Sequence, residues 1–165
     1  MVRLGSGLAT LMGVLMGAPS AHGQGIIIHH ELSAATAIQM AQTAMDTCAK
    51  NGYRVTVTIV DRQGETLLQV RGDNANPHTV ENSRRKAYTA RTFGISSAEF
   101  AERAKADPWR WQQTTLPGII ALAGALPIKV GDEIIGAIGV SGSPGGDKDE
   151  ACSRAGLDKV ADQLK

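Results

Sequence analysis

Between Ser33 and Asn51 the apolar residues Ala34, Ala37, Ile38, Ala41, Ala44, Met45 and Cys48 recur at three- and four-residue steps, which predicts a helix with one buried face. Ser33 stands at the N-cap position, where a hydroxyl can satisfy a free amide, and Gly52 supplies the stop. The period then changes to two. In "YRVTVTIVDRQGETLLQVR", Val55, Val57 and Ile59 alternate with Thr56, Thr58 and Val60, and Asp61-Arg62-Gln63-Gly64 follows. That pattern predicts a β-hairpin with Gly64 at a positive-φ turn position.

"GDNANP" breaks the alternation, with Asn76 placed to cap and Pro77 to open a second helix running to about Phe93. Ser96 followed by Glu99 has the spacing of a capping box and predicts a short helix to about Ala106. "PGIIALAGALPIKVGDEIIGAIGVSG" then reads as three short strands, broken at Gly124 and at Gly131-Asp132. A last helix is predicted from Asp147 to Leu164, with Asp147, Asp149 and Glu150 in its first turn to complement the helix dipole. Strands joined by such short turns must be antiparallel neighbours, because a parallel pair needs a long crossover. The expected fold is α+β, a five-stranded antiparallel sheet flanked by helices.

Composition adds bounds to this picture. The chain has 165 residues, 42% hydrophobic and 20% charged, enough for one core and one domain. A net charge of +1 and 4% aromatic residues give neither the basic face nor the stacking platforms of a nucleic-acid binder. The opening "MVRLGSGLATLMGVLMGAPSAHGQ" carries a cation at Arg3, an apolar run from Leu8 to Met16 and small residues before Gly23. Residues 1–23 are expected to be a signal peptide, leaving a periplasmic or secreted domain over 24–165. The apolar run is too short to span a bilayer, so no membrane partner is expected. In an oxidising compartment Cys48 and Cys152 can form a disulfide, or they can be two buried thiols; neither has the spacing of a metal motif.

Candidate chemistry is sparse. The glycines of "GAIGVSGSPGGDK" fit neither G-x-G-x-x-G nor a P-loop, and Gly136 and Gly139 read as points of close backbone approach within a strand. The second helix gathers His78, Arg84, Arg85, Lys86, Tyr88 and Arg91. Arg84, Tyr88 and Arg91 fall at i, i+4 and i+7, a face suited to a planar ligand bearing carboxylates, or simply a solvated basic face. His78 lies in the first turn, where the helix dipole disfavours added positive charge. That setting suits a neutral imidazole as a metal ligand, and equally a plain polar surface residue. His29 and His30 are adjacent, cannot easily share a metal, and read as a mobile N-terminal stretch. Trp109 and Trp111 can wall a pocket, plug the core or form an oligomer interface. No catalytic set emerges.

"VTIVDRQGETLLQVR", "NSRRKAYTARTFG", "LAGALPIKVGDEIIGAIGVSG" and "DKDEACSRAG", in this order, resemble the GlcG/HbpS-like, or DUF336, haem-binding family from about Leu32 to Leu164. The resemblance implies a profilin-like α/β/α sandwich around a five-stranded antiparallel sheet, and assembly into homo-oligomers. It also implies that the first and last helices pack antiparallel on one face, bringing Cys48 toward Cys152 for a disulfide. The function it implies is an exported haem-binding protein for sensing, sequestration or degradation. His78 would be the axial ligand, with Arg84, Arg85, Lys86 or Arg91 near the propionates. The alternatives are an enzyme or accessory protein holding a small organic carboxylate on the same helix, and a ligand-free structural oligomer. One departure stands out: the family's double glycine before the Pro-Ile strand is Gly124-Ala125 here, and a methyl at Ala125 is expected to narrow a pocket that depends on close backbone approach.

Overall fold

The computed structural model describes Met1 and residues 25–165, so the expected signal peptide lies outside the described residues. Helix α1 spans Ala34–Lys50, and Ser33 caps it by accepting from the Thr36 amide at 3.1 Å. The hairpin forms from β1 (Thr56–Val60) and β2 (Thr66–Arg71), with Gly64 at φ 87°. Helix α2 covers His78–Phe93 and α3 covers Ser97–Ala106. A short α4 (Pro108–Trp111), β3 (Ala125–Val130), β4 (Glu133–Ser141) and α5 (Gly146–Lys159) follow. Among the described residues no helix is long and apolar enough to cross a membrane.

The sheet has four strands in the order β2-β1-β4-β3, all neighbours antiparallel, not the five expected. The missing strand is the stretch from Ile119 to Ala123. Its backbone groups are bonded by side chains of α2 instead of a neighbouring strand. The Ile120 amide donates to Thr89 Oγ1 at 3.0 Å, and the Ile119 carbonyl accepts from Arg85 at 2.5 Å. Ile119 packs with Phe100 and Ala104 in a small cluster against α3. An apolar run marks burial, and here the burial is under a loop.

Strand β1 is buried on both faces, and its alternation sorts the layers. Val57 and Ile59 join Met40, Ala44, Ile138 and Val140 in the main core beneath α1 and α5. Thr56, Thr58 and Val60 face α2, where Val60 meets Ala87, Ala90 and Ala137. Helix α2 lies close to the sheet because Gly139 has no side chain: a Cβ there would sit 2.4 Å from the Ser83 carbonyl.

Helices α1 and α5 run antiparallel. Cys48 is bonded to Cys152 with a Cα separation of 5.7 Å, and at the other end Thr36 Oγ1 donates to Gln163 Oε1 at 3.0 Å.

Local differences from the sequence reading have physical causes. Asn76 serves α2 through its carbonyl, which accepts from the Thr79 amide, not through a side-chain cap. Ser96 caps α3 by accepting from the Glu99 amide, but the Glu99 carboxylate pairs with Arg103, leaving half a capping box. The two adjacent histidines make separate contacts, His29 Nε2 at 2.9 Å from Glu31 Oε1 and His30 Nδ1 at 2.7 Å from Glu133 Oε2. Trp109 and Trp111 do not plug the core, being 76% and 55% exposed.

Candidate functional site

Past the end of β4 the sheet no longer separates α2 from α5, and a cavity of about 530 Å³ opens between them and α3. Its helical wall is a stripe of α2, His78, Asn82 and Lys86, spaced four residues apart and therefore stacked on one face. Opposite stand Ala98 and Ala101 of α3 and the loop residues Ala121, Leu122 and Ala123. Ser141, Ser143, Asp147 and Asp149 close the remaining side, and Glu102 sits at the α3 edge. The walls are thus small and apolar on one side and polar on the other.

The floor is an ion pair. Lys86 Nζ lies 2.7 Å from Asp149 Oδ2, both side chains only 4% exposed, and also donates to the Val140 carbonyl at 3.1 Å. Asp149 Oδ1 accepts from the Ser143 amide at 3.0 Å and from Ser143 Oγ at 2.6 Å. Every lone pair of a buried carboxylate that finds a donor lowers the cost of its burial, and this carboxylate has three donors. Asp149 therefore does more than complement a helix dipole: it holds the loop before α5 to α2.

Gly124 makes room for the pair. At φ 131° it adopts a backbone conformation that side-chain-bearing residues rarely reach, and a Cβ would sit 2.8 Å from both Asp149 Cβ and the Val140 carbonyl and 2.9 Å from Lys86 Nζ. The neighbouring Ala125 does not narrow this cavity: its methyl is fully buried among Val60, Ala87, Ala90 and Ala137.

The structure brings only His78 and Lys86 of the sequence candidates into the cavity, and His78 is exposed at its rim. The others turn elsewhere. Arg84 is a surface partner of Glu81 at 2.8 Å, and its guanidinium holds the Glu81 carboxyl below the usual carboxylate range. Arg85 reaches the Ile119 carbonyl, and Arg91 donates to the Arg62 carbonyl at 2.6 Å. Tyr88 packs beside Gly64 and Gly118. Among the described residues no group of three or more His, Cys, Asp or Glu side chains is placed to hold a metal ion.

Sequence reading missed Asn82, Ser143 and Asp149. The i, i+4, i+8 spacing of His78, Asn82 and Lys86 was visible in the sequence. The Lys86–Asp149 pair spans 63 positions and leaves no local signal.

HbpS of Streptomyces reticuli, solved as a double mutant, superposes with a TM-score of 0.78 at 35% identity, covering 86% of this chain and 96% of that one. The Klebsiella pneumoniae DUF336 protein ORFY gives 0.75 at 28% identity, covering 82% and 94%. Protein GlcG of Escherichia coli strain K12 is 29% identical over 110 residues, which is 67% of this chain and 81% of GlcG. The family model described as haem degrading protein HbpS-like matches residues 32–158, a span containing the whole sheet, the cavity and its buried ion pair, and the chain belongs to that family.

Proposed function

We propose that this is an exported haem-binding protein whose ligand enters the cavity between α2, α3 and α5. The observation that carries the reading is the α2 stripe: an accessible imidazole at the rim and a fixed ammonium at the floor of a space of about 530 Å³. Family membership in a group described as haem degrading supports the same class of ligand. His78 would be the residue that holds the iron, and Ala98, Ala101, Ala121 and Leu122 would line the apolar part of the site. Lys86 has spent two of its three N–H donors on Asp149 and Val140, and the third remains for a carboxylate such as a propionate. Haem, when bound, supplies a redox-active iron. The leader over residues 1–23 would place the protein in the periplasm or medium, where free haem is met outside the cytoplasm.

Titrating the purified protein with hemin is expected to give a saturable Soret shift, and His78→Ala is expected to abolish it without lowering the melting temperature. Absence of a saturable shift in the parent protein overturns the reading. Lys86 also favours a second one, a small organic carboxylate on the same ammonium. In that case thermal-shift screening would find a stabilising carboxylate whose effect survives His78→Ala.

A further inference from the structure

A groove of about 660 Å³ lies beside β3, an edge strand of the sheet, between α5 and the start of α3. It shares no lining residue with the α2 cavity. Its lining divides by character: Ile95, Leu126, Pro127, Leu157 and Leu164 are apolar, whereas Glu99, Lys129, Glu150, Arg154 and Asp158 bring both signs of charge. An apolar wall with a few polar groups, at a volume within about 300–1,000 Å³, is the make-up of a small-molecule site.

One face of α5 orders these groups. Glu150, Arg154 and Leu157 stand at i, i+4 and i+7, so the groove passes along the helix from a carboxylate to a guanidinium to apolar side chains. A glutamate four residues before an arginine is well spaced for an ion pair, and Glu99 and Arg103 make one on α3. Glu150 and Arg154 do not. Burial pushes the Glu150 carboxyl above its ordinary range and Arg154 pulls it back, so the two charges are near each other. Even so, neither they nor Lys129 and Asp158 make an ion pair among the described residues. Glu150 Oε2 is buried without a donor, a condition that folded proteins rarely leave unmet.

We infer that the groove beside β3 binds a free α-amino acid with an apolar side chain. Its ammonium meets the Glu150 carboxylate, its carboxylate meets the Arg154 guanidinium in the paired geometry that arginine favours, and its side chain lies toward Leu126 and Leu157. Two unpaired charges of opposite sign, one helical turn apart, select a ligand that carries both signs close together. A carboxylate alone would leave Glu150 without a donor, and an amine alone would leave Arg154 without an acceptor. Leu157, one turn beyond Arg154, sets the apolar end of the ligand on the side away from Glu150.

The test is calorimetric titration of the full protein at pH 7 with L-leucine and L-phenylalanine. At least one of them is expected to bind saturably. N-acetyl-L-leucine, which lacks the ammonium, and L-leucinamide, which lacks the carboxylate, are each expected to bind about tenfold more weakly or not at all. Glu150→Gln and Arg154→Ala are expected to keep the parental circular dichroism and to weaken amino-acid binding by about tenfold each. His78→Ala is expected to leave it unchanged. The inference is overturned if neither amino acid binds, if the blocked analogues bind as well as the free amino acid, or if both groove variants bind like the parent. Loss of binding in His78→Ala overturns it too, because the amino acid would then occupy the α2 cavity.

Discussion

The two faces of the sheet are held by different forces. Under α1 and α5 the contact is a continuous apolar layer, Met40, Ala44, Val57, Ile59, Ile128, Ile138 and Val140, with Cys48 and Cys152 bonded within it. Under α2 the residues are small or polar. Thr56 meets Thr79 hydroxyl to hydroxyl at 2.7 Å, Thr58 meets Ser83 at 2.7 Å, and Lys86 meets Asp149 at the end. Apolar burial is non-directional, so the first face can tolerate small slides of its helices. Hydrogen bonds have preferred distances and angles, so the second fixes where along the sheet α2 sits. His78, Asn82 and Lys86 ride on α2, so the less apolar face positions the candidate site.

The sharpest way to break this contrast is at the ion pair. Asp149→Ala leaves the Lys86 ammonium buried without its counter-charge and also frees Ser143, and removing one partner of a buried pair typically costs about 3–5 kcal/mol. Chemical denaturation is expected to show a loss of that size. Lys86→Met with Asp149→Ala is expected to recover most of it, because the uncompensated charge is then gone. If the single variant is as stable as the parent, directional polar contacts do not hold the α2 face.

The corresponding cut on the apolar face is of similar size but acts elsewhere. Cys48→Ala with Cys152→Ala opens a loop closed across 104 positions, and losing a native disulfide typically costs about 2–5 kcal/mol, toward the upper end for so long a loop. The cysteines contribute by constraining the unfolded chain, and the apolar layer around them remains. Haem binding in this variant is therefore expected to match the parent at temperatures where both are folded. A changed hemin affinity would mean that the α1–α5 face also positions the site.

Legibility in the sequence follows the same division. Periodicity displayed α1, the β1–β2 hairpin, α3 and β4 because each buries a face with a regular spacing, and Ser33, Ser96 and Gly64 mark boundaries through local chemistry. It misled at Ile119 to Ala123, where an apolar run lies under a loop whose backbone bonds run to Thr89 and Arg85. At the site, His78 and Lys86 were visible as residue types on one helix. Their grouping with Asn82 follows from the four-residue spacing, whereas charge alone points to Arg84 and Arg91, whose guanidinium groups bond Glu81 and the Arg62 carbonyl instead. Asp149 looked like a dipole-complementing acid, because its true partner is brought to it only by the folded sheet.

Two half-covered carboxylates give the smallest effects and opposite signs. Burial pushes the Glu150 carboxyl above its ordinary range, with Arg154 one turn on opposing it; contact with His30 and then Arg62 draws the Glu133 carboxyl below that range. A raised folded value means that the folded protein holds the proton more tightly than the unfolded chain. Glu150 thus favours folding below its unfolded value, near pH 4, and that contribution is lost as the pH rises through its folded value. Glu133 behaves oppositely: its contribution is present above its unfolded value and lost as the pH falls through its folded one. At pH 7, Glu150→Gln is therefore expected to melt slightly above the parent and Glu133→Gln slightly below it. Both differences shrink toward pH 4, the first because the parent Glu150 is then protonated and the second because Glu133 has begun to lose its charge. Melting curves of the two variants and the parent at both pH values check this. A Glu150→Gln variant that melts below the parent at pH 7 would mean that the buried carboxylate has a donor, and that would remove the vacant acceptor from the groove beside β3.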